Sequence, residues 1–569
     1  MRTQGSLAVG LAMLAWAAIA GCDRKGDDPA APVVAPAAAA TVAPPDAVDV
    51  TFLYGSEKQD WIADVTATFN GSGVTVDGKP VHVTATPMGS GECVDAVLSG
   101  RVHADLLSPA SSPFVTLGNA QSRAATGGDL LGPTRNLVLS PVVIATWKPM
   151  ADALSAGGRA AGWSDVLALA TDPRGWGARG HPEWGPFKFG HTHPEFSNSG
   201  LISVLAECYA GAGKVRDLTV ADLDRPAVTG LLDGVERSVV HYGSSTGFFG
   251  KRMFAGGPAY LSAAVMYENM VIAANDPAGP DHPPLPVVAV YPREGTFWSD
   301  HPAGVVQRPW VDAAHRAAAE KYVDYLLAEP QQRKAMDHGF RPGDPSLPLS
   351  AVFDTAHGVD PKQPATTLAV PPADVMAAAL RVWHQHKKHA DVVLVLDTSG
   401  SMSEQGKMAA AKAGAEQMIG LLDDADVMSL LPFSTRMHWA AQEVPLTPAG
   451  RAKLTADVEG LYADGDTALY DTVAAAVGYL KAHPHPDRIE AVVVLTDGQD
   501  TDSQLALDGV LAGVRADESG NGVRVFTIGY GSDADASVLG RIADQAHGKF
   551  YAGTPENIRE VFKDVATFF

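Results

Sequence analysis

The stretch that most constrains this chain is Asp391-Val-Val-Leu-Val-Leu-Asp397-Thr-Ser399-Gly-Ser401-Met402. Its first part is an unbroken run of β-branched and apolar residues. Such a run suits a strand buried on both faces, as in a parallel sheet. The run stops abruptly at Asp-x-Ser-x-Ser. In an open α/β sheet the carboxyl end of a strand is where a ligand site forms, and here that end holds a carboxylate and two hydroxyls at alternate positions. Hard oxygen donors of this kind suit Mg²⁺ or Mn²⁺.

The residues that follow keep alternating. Met408, Ala411, Ala415, Met418, Ile419 and Leu422 fall at helical spacing, Val427–Phe433 reads as a strand, and 437–444 suits a sheet edge. Helices are predicted over 454–461 and 469–480, a second buried strand over Ile489–Thr496, another over 523–529, and a closing helix over 555–568. Residues 386–569 thus read as a doubly wound parallel α/β sheet, and they resemble the von Willebrand factor type A domain. The resemblance rests on Asp397-Thr-Ser399-Gly-Ser401, on Gly465-Asp466-Thr467 ahead of a helix, and on Thr496-Asp497-Gly498 after a strand. It implies a metal-ion-dependent adhesion site made by Asp397, Ser399, Ser401, Thr467 and Asp497. It further implies Mg²⁺ or Mn²⁺ as cofactor, with one coordination position left for a Glu or Asp of a protein partner. Only two donors are charged, so the ion stays electrophilic. No base or nucleophile stands out beside it, and a Gly-x-Gly-x-x-Gly nucleotide turn is absent.

Residues 48–345 show a second βα series. Val48–Tyr54, Val81–Thr86 and His103–Leu107 read as strands, each followed by a polar loop and a helix, with Ser56 as an N-cap. Residues 136–145 read as a crossing strand, 238–242 as a further strand, 294–310 as an irregular surface loop rich in Pro, Trp and His, and 311–327 as an amphipathic helix. This region resembles the two-lobed periplasmic solute-binding proteins of ABC transporters. By position that resemblance places Ser56, Ser108, Ser197, Ser199, Ser244 and Ser245 in a cleft for a small polar or anionic solute; read from the residues alone, the same serines are helix caps. Two rival functions follow from this half of the chain. One is a receptor for transport or sensing, in which the cleft solute matters most. The other is a serine hydrolase: Gly243-Ser-Ser245-Thr-Gly247 satisfies Gly-x-Ser-x-Gly, with Asp300 and His301 downstream. The hydrolase reading lacks a His-Gly-Gly-Gly oxyanion segment, and a five-residue pattern arises easily among 57 glycines.

Ahead of both regions, Arg2 and the apolar core Leu7–Ala17 have the form of a secretory signal. Ile19-Ala-Gly-Cys22 resembles the lipobox of bacterial lipoproteins, which implies acylation of Cys22 and a lipid anchor in the cell envelope; Asp23 resembles an inner-membrane retention signal. Residues 23–47, rich in Ala and Pro, read as a semi-extended tether, and 346–385 as a linker ending in a connecting helix. A net charge of −22 argues against a nucleic-acid surface. Cys93 and Cys208 read as two separate buried thiols, and the histidines at 384, 386, 389, 483 and 485 as solvated helix ends and turns rather than metal ligands. The expected whole is a non-enzymatic, periplasm-facing binding protein.

Overall fold

A strand buried on both faces must find neighbours on both edges and helices above and below. The computed structural model, which describes residues 43–569 apart from 157, 281 and 516–521, shows how this chain meets that demand three times. The expected signal sequence, Cys22 and most of the expected tether lie outside the described residues. No helix among the described residues is long and apolar enough to cross a membrane.

The first lobe is built on a six-stranded sheet. Its centre is Val48–Gly55, parallel to Lys79–Met88 on one side and to Leu106–Ser108 on the other. Pro302–Val306 then joins antiparallel, beside Leu131–Asn136. The second lobe gathers around Val138–Trp147, which pairs antiparallel with Ala263–Tyr267, Val287–Val290, Trp298–Ser299 and Arg341–Pro342. The chain passes between the lobes at 136–138, at 299–302, and once more after Asp337.

The third sheet runs Ala441–Pro445, Val427–Phe433, Ala390–Asp397, Ile489–Thr496, Arg524–Tyr530, Phe550–Gly553, all parallel except the first. All eight residues of Ala390–Asp397 and all eight of Ile489–Thr496 are buried. Each buried Val or Leu contributes roughly 1.5–3 kcal/mol of hydrophobic stabilisation, so these two strands fix the centre of the domain. The closing helix Ile558–Ala566 buries Ile558, Val561, Phe562 and Val565, an i, i+3, i+4, i+7 stripe. Phe562 fills the space beside Gly414, where an added Cβ would sit 2.4 Å from its ring.

Several expectations need correction. Residues 294–310 are not a surface loop: Pro302–Val306 is a fully buried strand. Pro302 stands at its first position, where a ladder N–H is dispensable, so the proline does not break it. Residues 238–242 make only an isolated bridge, Phe189 to Val239. Ser56 opens a short 3₁₀ turn, Ser56–Lys58, with no side-chain cap bond. His384 is only partly exposed and lies between Asp423 and Glu195, at 3.0 and 3.4 Å. Cys93 and Cys208 are free and buried, as expected.

Candidate functional site

The two central strands of the third sheet are in register, Leu396 opposite Leu495. Their carboxyl ends therefore deliver Asp397 and Asp497 to the same edge, both buried. Thr496 Oγ1 donates to Asp397 Oδ2 at 2.6 Å, and the Ser399 N–H donates to Asp397 Oδ1 at 2.8 Å. Burial pushes the Asp397 carboxyl up, against the pull of these bonds. The two serine hydroxyls lie 3.1 Å apart, and Ser401 Oγ donates to Asp497 Oδ1 at 2.7 Å.

Thr467 comes from the loop beneath helix Leu469–Ala482. That loop is tied to the first by Gly400 N–H to the Gly465 carbonyl at 2.9 Å, and Asp464 N–H to that of Thr398 at 2.8 Å. Thr501 Oγ1 accepts the Thr467 N–H at 3.0 Å, and the Thr467 hydroxyl lies 3.7 Å from where a Cβ on Gly498 would stand. All five residues expected at the metal site thus converge from three loops. Asp397 and Asp497 are sealed below, while Gly400, Ser401, Gly465 and Asp466 are open to solvent. The donor set, two carboxylates and three hydroxyls, fits a hard divalent cation that keeps some of its water.

One neighbour was not foreseen. Lys407 Nζ donates to Asp497 Oδ2 at 2.6 Å, with the lysine side chain 7% exposed and the aspartate 0%. Gln405 and Gly406, at φ 50° and 73°, turn the chain so that Lys407 opens the helix Lys407–Leu421 facing the site. A lysine in the first turn opposes the helix dipole, and that anomaly is the sequence signal for a local anionic partner. With Lys407 counted, the net charge of the site is −1 rather than −2.

The serines assigned to the cleft separate into three pairs. Ser197 and Ser199 join Thr246 and Thr192 in a buried hydroxyl chain, with contacts of 3.2 Å (Ser197–Thr246), 2.9 Å (Thr246–Ser199) and 2.7 Å (Ser199–Thr192). Ser56 lies against Gly247 across the seam between lobes, and Ser108 Oγ is buried in the first lobe without a partner. Ser244 and Ser245 are half-buried at the start of helix Thr246–Tyr260, and neither side chain caps it. The seam also uses residues the sequence did not single out. Ser111 bonds Asn198 across it, and Asn198 Nδ2 reaches Ser299 Oγ at 3.0 Å. Nearby, Lys58 is buried between Glu57, at 2.7 Å, and His301, at 3.2 Å. Burial opposes ionisation of Glu57, but Lys58 and His301 more than offset it and hold the carboxyl down at about 2. The hydrolase reading loses its partners here: Asp300 accepts the Ser112 N–H at 2.8 Å, and His301 is engaged with Lys58 and Glu57.

Comparison with known proteins covers both halves. Residues 50–341 match the family model of bacterial extracellular solute-binding proteins, and residues 391–564 that of the von Willebrand factor type A domain. An uncharacterized protein of Mycobacterium tuberculosis is 24% identical over 532 residues, covering 86% of this chain and 72% of the relative. Among solved structures, a periplasmic thiamin binding protein is 14% identical with a TM-score of 0.42, covering 59% of this chain and 96% of its own. A von Willebrand factor type A protein from Catenulispora acidiphila is 24% identical with a TM-score of 0.29, covering 32% of this chain and 42% of its own. The solute-binding match spans more than half of the 569 residues. By it the chain belongs to the bacterial extracellular solute-binding protein family, and over residues 391–564 it carries a von Willebrand factor type A domain.

Proposed function

We propose that this chain is an extracytoplasmic binding protein whose type A domain grips a protein partner through a divalent cation. The observation that carries the reading is the convergence of Asp397, Ser399, Ser401, Thr467 and Asp497 beneath a solvent-open rim. These five residues would hold Mg²⁺ or Mn²⁺. When bound, the ion would supply an electrophilic position for an outside carboxylate. The chain's own residues do the rest: Thr496 and Ser399 N–H orient Asp397, and Thr501 orients Thr467. Lys407 and Ser401 hold the two oxygens of Asp497. We place the molecule on the envelope by a lipid on Cys22, which in the sequence precedes the solute-binding body and then the type A domain.

The test is thermal stability in Mg²⁺ or Mn²⁺. Wild-type protein is expected to gain stability, EDTA to reverse the gain, and Asp497→Ala to abolish it. Capture of an envelope protein should require the metal and fail for Asp397→Ala. A wild-type protein indifferent to both ions would sink the reading.

A second reading, a solute receptor for transport or sensing, is favoured by the family of residues 50–341 and by the buried polar seam between the lobes. It predicts a solute-dependent stabilisation that survives Asp497→Ala.

A further inference from the structure

The seam between the lobes is shut at one end by backbone alone. Gly91 N–H, at the start of helix Ser90–Leu98 in the first lobe, donates to the carbonyl of Phe196 in the second at 2.9 Å. A Cβ on Gly89 would stand 2.4 Å from that same carbonyl and 2.7 Å from that of Ser244, so this approach requires glycine. Directly over this closure lies the last helix of the type A domain. Lys563 Nζ donates to Asp95 Oδ2 of the first lobe at 2.6 Å and lies 5.4 Å from the ring centre of Phe196 in the second. One side chain thus touches both lobes at their meeting point. Beside it, Glu560 pairs with Arg101 of the first lobe, and the Phe568 carbonyl accepts the Tyr242 N–H of the second at 3.3 Å.

The two attachments differ in kind. On the second lobe, beside one surface pair between Arg252 and Asp544, they are ring contacts: Phe568 packs against His241 and Phe248, with ring centres at 5.7 and 6.0 Å. The connecting helix Ala373–His386 adds Trp383, fully buried, bonded to Glu236 at 2.9 Å. On the first lobe the connecting helix also packs on helix Ser112–Thr126, but the last helix is held there by ion pairs at the surface, with Asp95 49% and Glu560 46% exposed. Surface pairs are individually weak and screened by salt, whereas buried aromatic contacts are neither. When the lobes part, the first lobe is the side that lets go.

We propose that helix Ile558–Ala566 is a latch across the cleft, rooted on the second lobe and hooked to the first by Lys563 and Glu560, so that opening of the body and release of this hook are one event. The inference rests on the reading of residues 50–341 as a body that opens and closes as two lobes. By linkage, a solute that favours the closed body would tighten the latch, and breaking the latch would weaken retention of that solute by the same factor.

The test uses the full chain and hydrogen exchange at the Gly91 and Glu92 amides. First-turn N–H groups have no partner within their own helix, and both of these bond to Phe196 O, so they report the seam. In Glu560→Lys/Lys563→Glu, two attractions become repulsions, and seam exchange should rise about tenfold; Lys563→Gln should move it the same way by a smaller factor. Adding Asp95→Lys/Arg101→Glu restores both pairs with reversed sign and should restore protection. Wild-type seam exchange should also rise in about 0.5 M salt, where the screening length falls to roughly 4 Å. If residues 558–566 lose protection in the double variant while the seam does not, the latch is refuted and the two-lobed body stands. If the seam exchanges only with global unfolding in every variant, the opening body is refuted along with its latch.

Discussion

Replacing Lys407 by Met tests how the metal site is balanced. In the structure the ammonium sits 2.6 Å from Asp497 Oδ2, with both groups out of solvent. Removing one partner of a buried ion pair typically costs about 3–5 kcal/mol, because the other charge is left uncompensated. For a unit of this size each kcal/mol moves the melting temperature by about 2–4 °C, so the type A transition should fall by about 6–20 °C in EDTA. The metal should respond in the opposite sense. Without the lysine a divalent cation meets two carboxylates and no positive neighbour. A unit charge about 4 Å away is worth roughly 4 kcal/mol at an effective dielectric of 20, so a tenfold gain in Mn²⁺ affinity is a low bound. Calorimetric titration with Mn²⁺, paired with melting in EDTA and in excess metal, reads both quantities. Lys407→Met should melt early in EDTA and recover most of the loss with metal. A variant as stable as wild type in EDTA, binding Mn²⁺ no tighter, would show that Lys407 neither supports the metal-free site nor competes with the ion.

Three further outcomes are expected. Burial would lower the pKa of His384, but Asp423 and Glu195 override it and raise the value to about 9. A raised pKa contributes stability that is complete below the unfolded value near 6.5 and lost as pH climbs through 9. Melting temperature should therefore decline between about pH 7 and 9.5, and less steeply in His384→Gln; equal slopes would count against this pairing. Gly91→Ala would place a methyl 1.9 Å from the Glu195 carbonyl oxygen, a backbone atom that cannot turn aside. The lobes should then stay apart, seen as a larger radius of gyration in solution scattering, and an unchanged radius would contradict the closure described above. Lys58→Met should destabilise the first lobe by about 3–5 kcal/mol, since Glu57 is left buried against His301; Lys58→Met/Glu57→Gln should recover much of it, as measured by denaturant unfolding.

How far the sequence revealed this molecule depended on where each signal resides. The strands 390–397 and 489–496 were legible because burial on both faces leaves a continuous apolar run, and their ends pointed to the residues of the proposed metal site because ligands follow strand ends. Pro302–Val306 was illegible because its neighbours Pro, Trp and His are ordinary punctuation for a loop. Only pairing with residues about 170 and 200 positions earlier makes it a strand. The seam was legible in kind but not in detail. Ser197 and Ser199 lie at it, yet Asn198 and Lys58 read locally as ordinary helix residues. Lys407 was overlooked because a lysine at a helix start looks like a solvated charge until its partner, 90 residues away, is known.

The two ends of the type A sheet bear on whether its metal could serve a partner while the domain stays docked. Several contacts with the body or the connecting helix at the foot of the sheet come from residues that precede a strand. Lys388, just ahead of Ala390–Asp397, donates its N–H to Tyr242 Oη at 3.1 Å. Asp423, ahead of Val427–Phe433, bonds His384, and Asp544 and His547, ahead of Phe550–Gly553, face Arg252 and Tyr260. The residues of the proposed metal site instead lie at strand ends, at Asp397 and Asp497. Strands of seven or eight residues at about 3.3 Å each put on the order of 20 Å between these poles. A partner at the metal therefore need not displace the body, and the body need not release the domain to expose the metal. What joins the poles is the side of the domain along which Ile558–Ala566 runs, packed on the helix that opens with Lys407. That pair of helices is a packed route between the proposed metal site and the body. The charge-reversed latch variant tests this: its Mn²⁺ affinity should stay within about twofold of wild type if the poles are independent, and a larger shift would mean that the helices transmit.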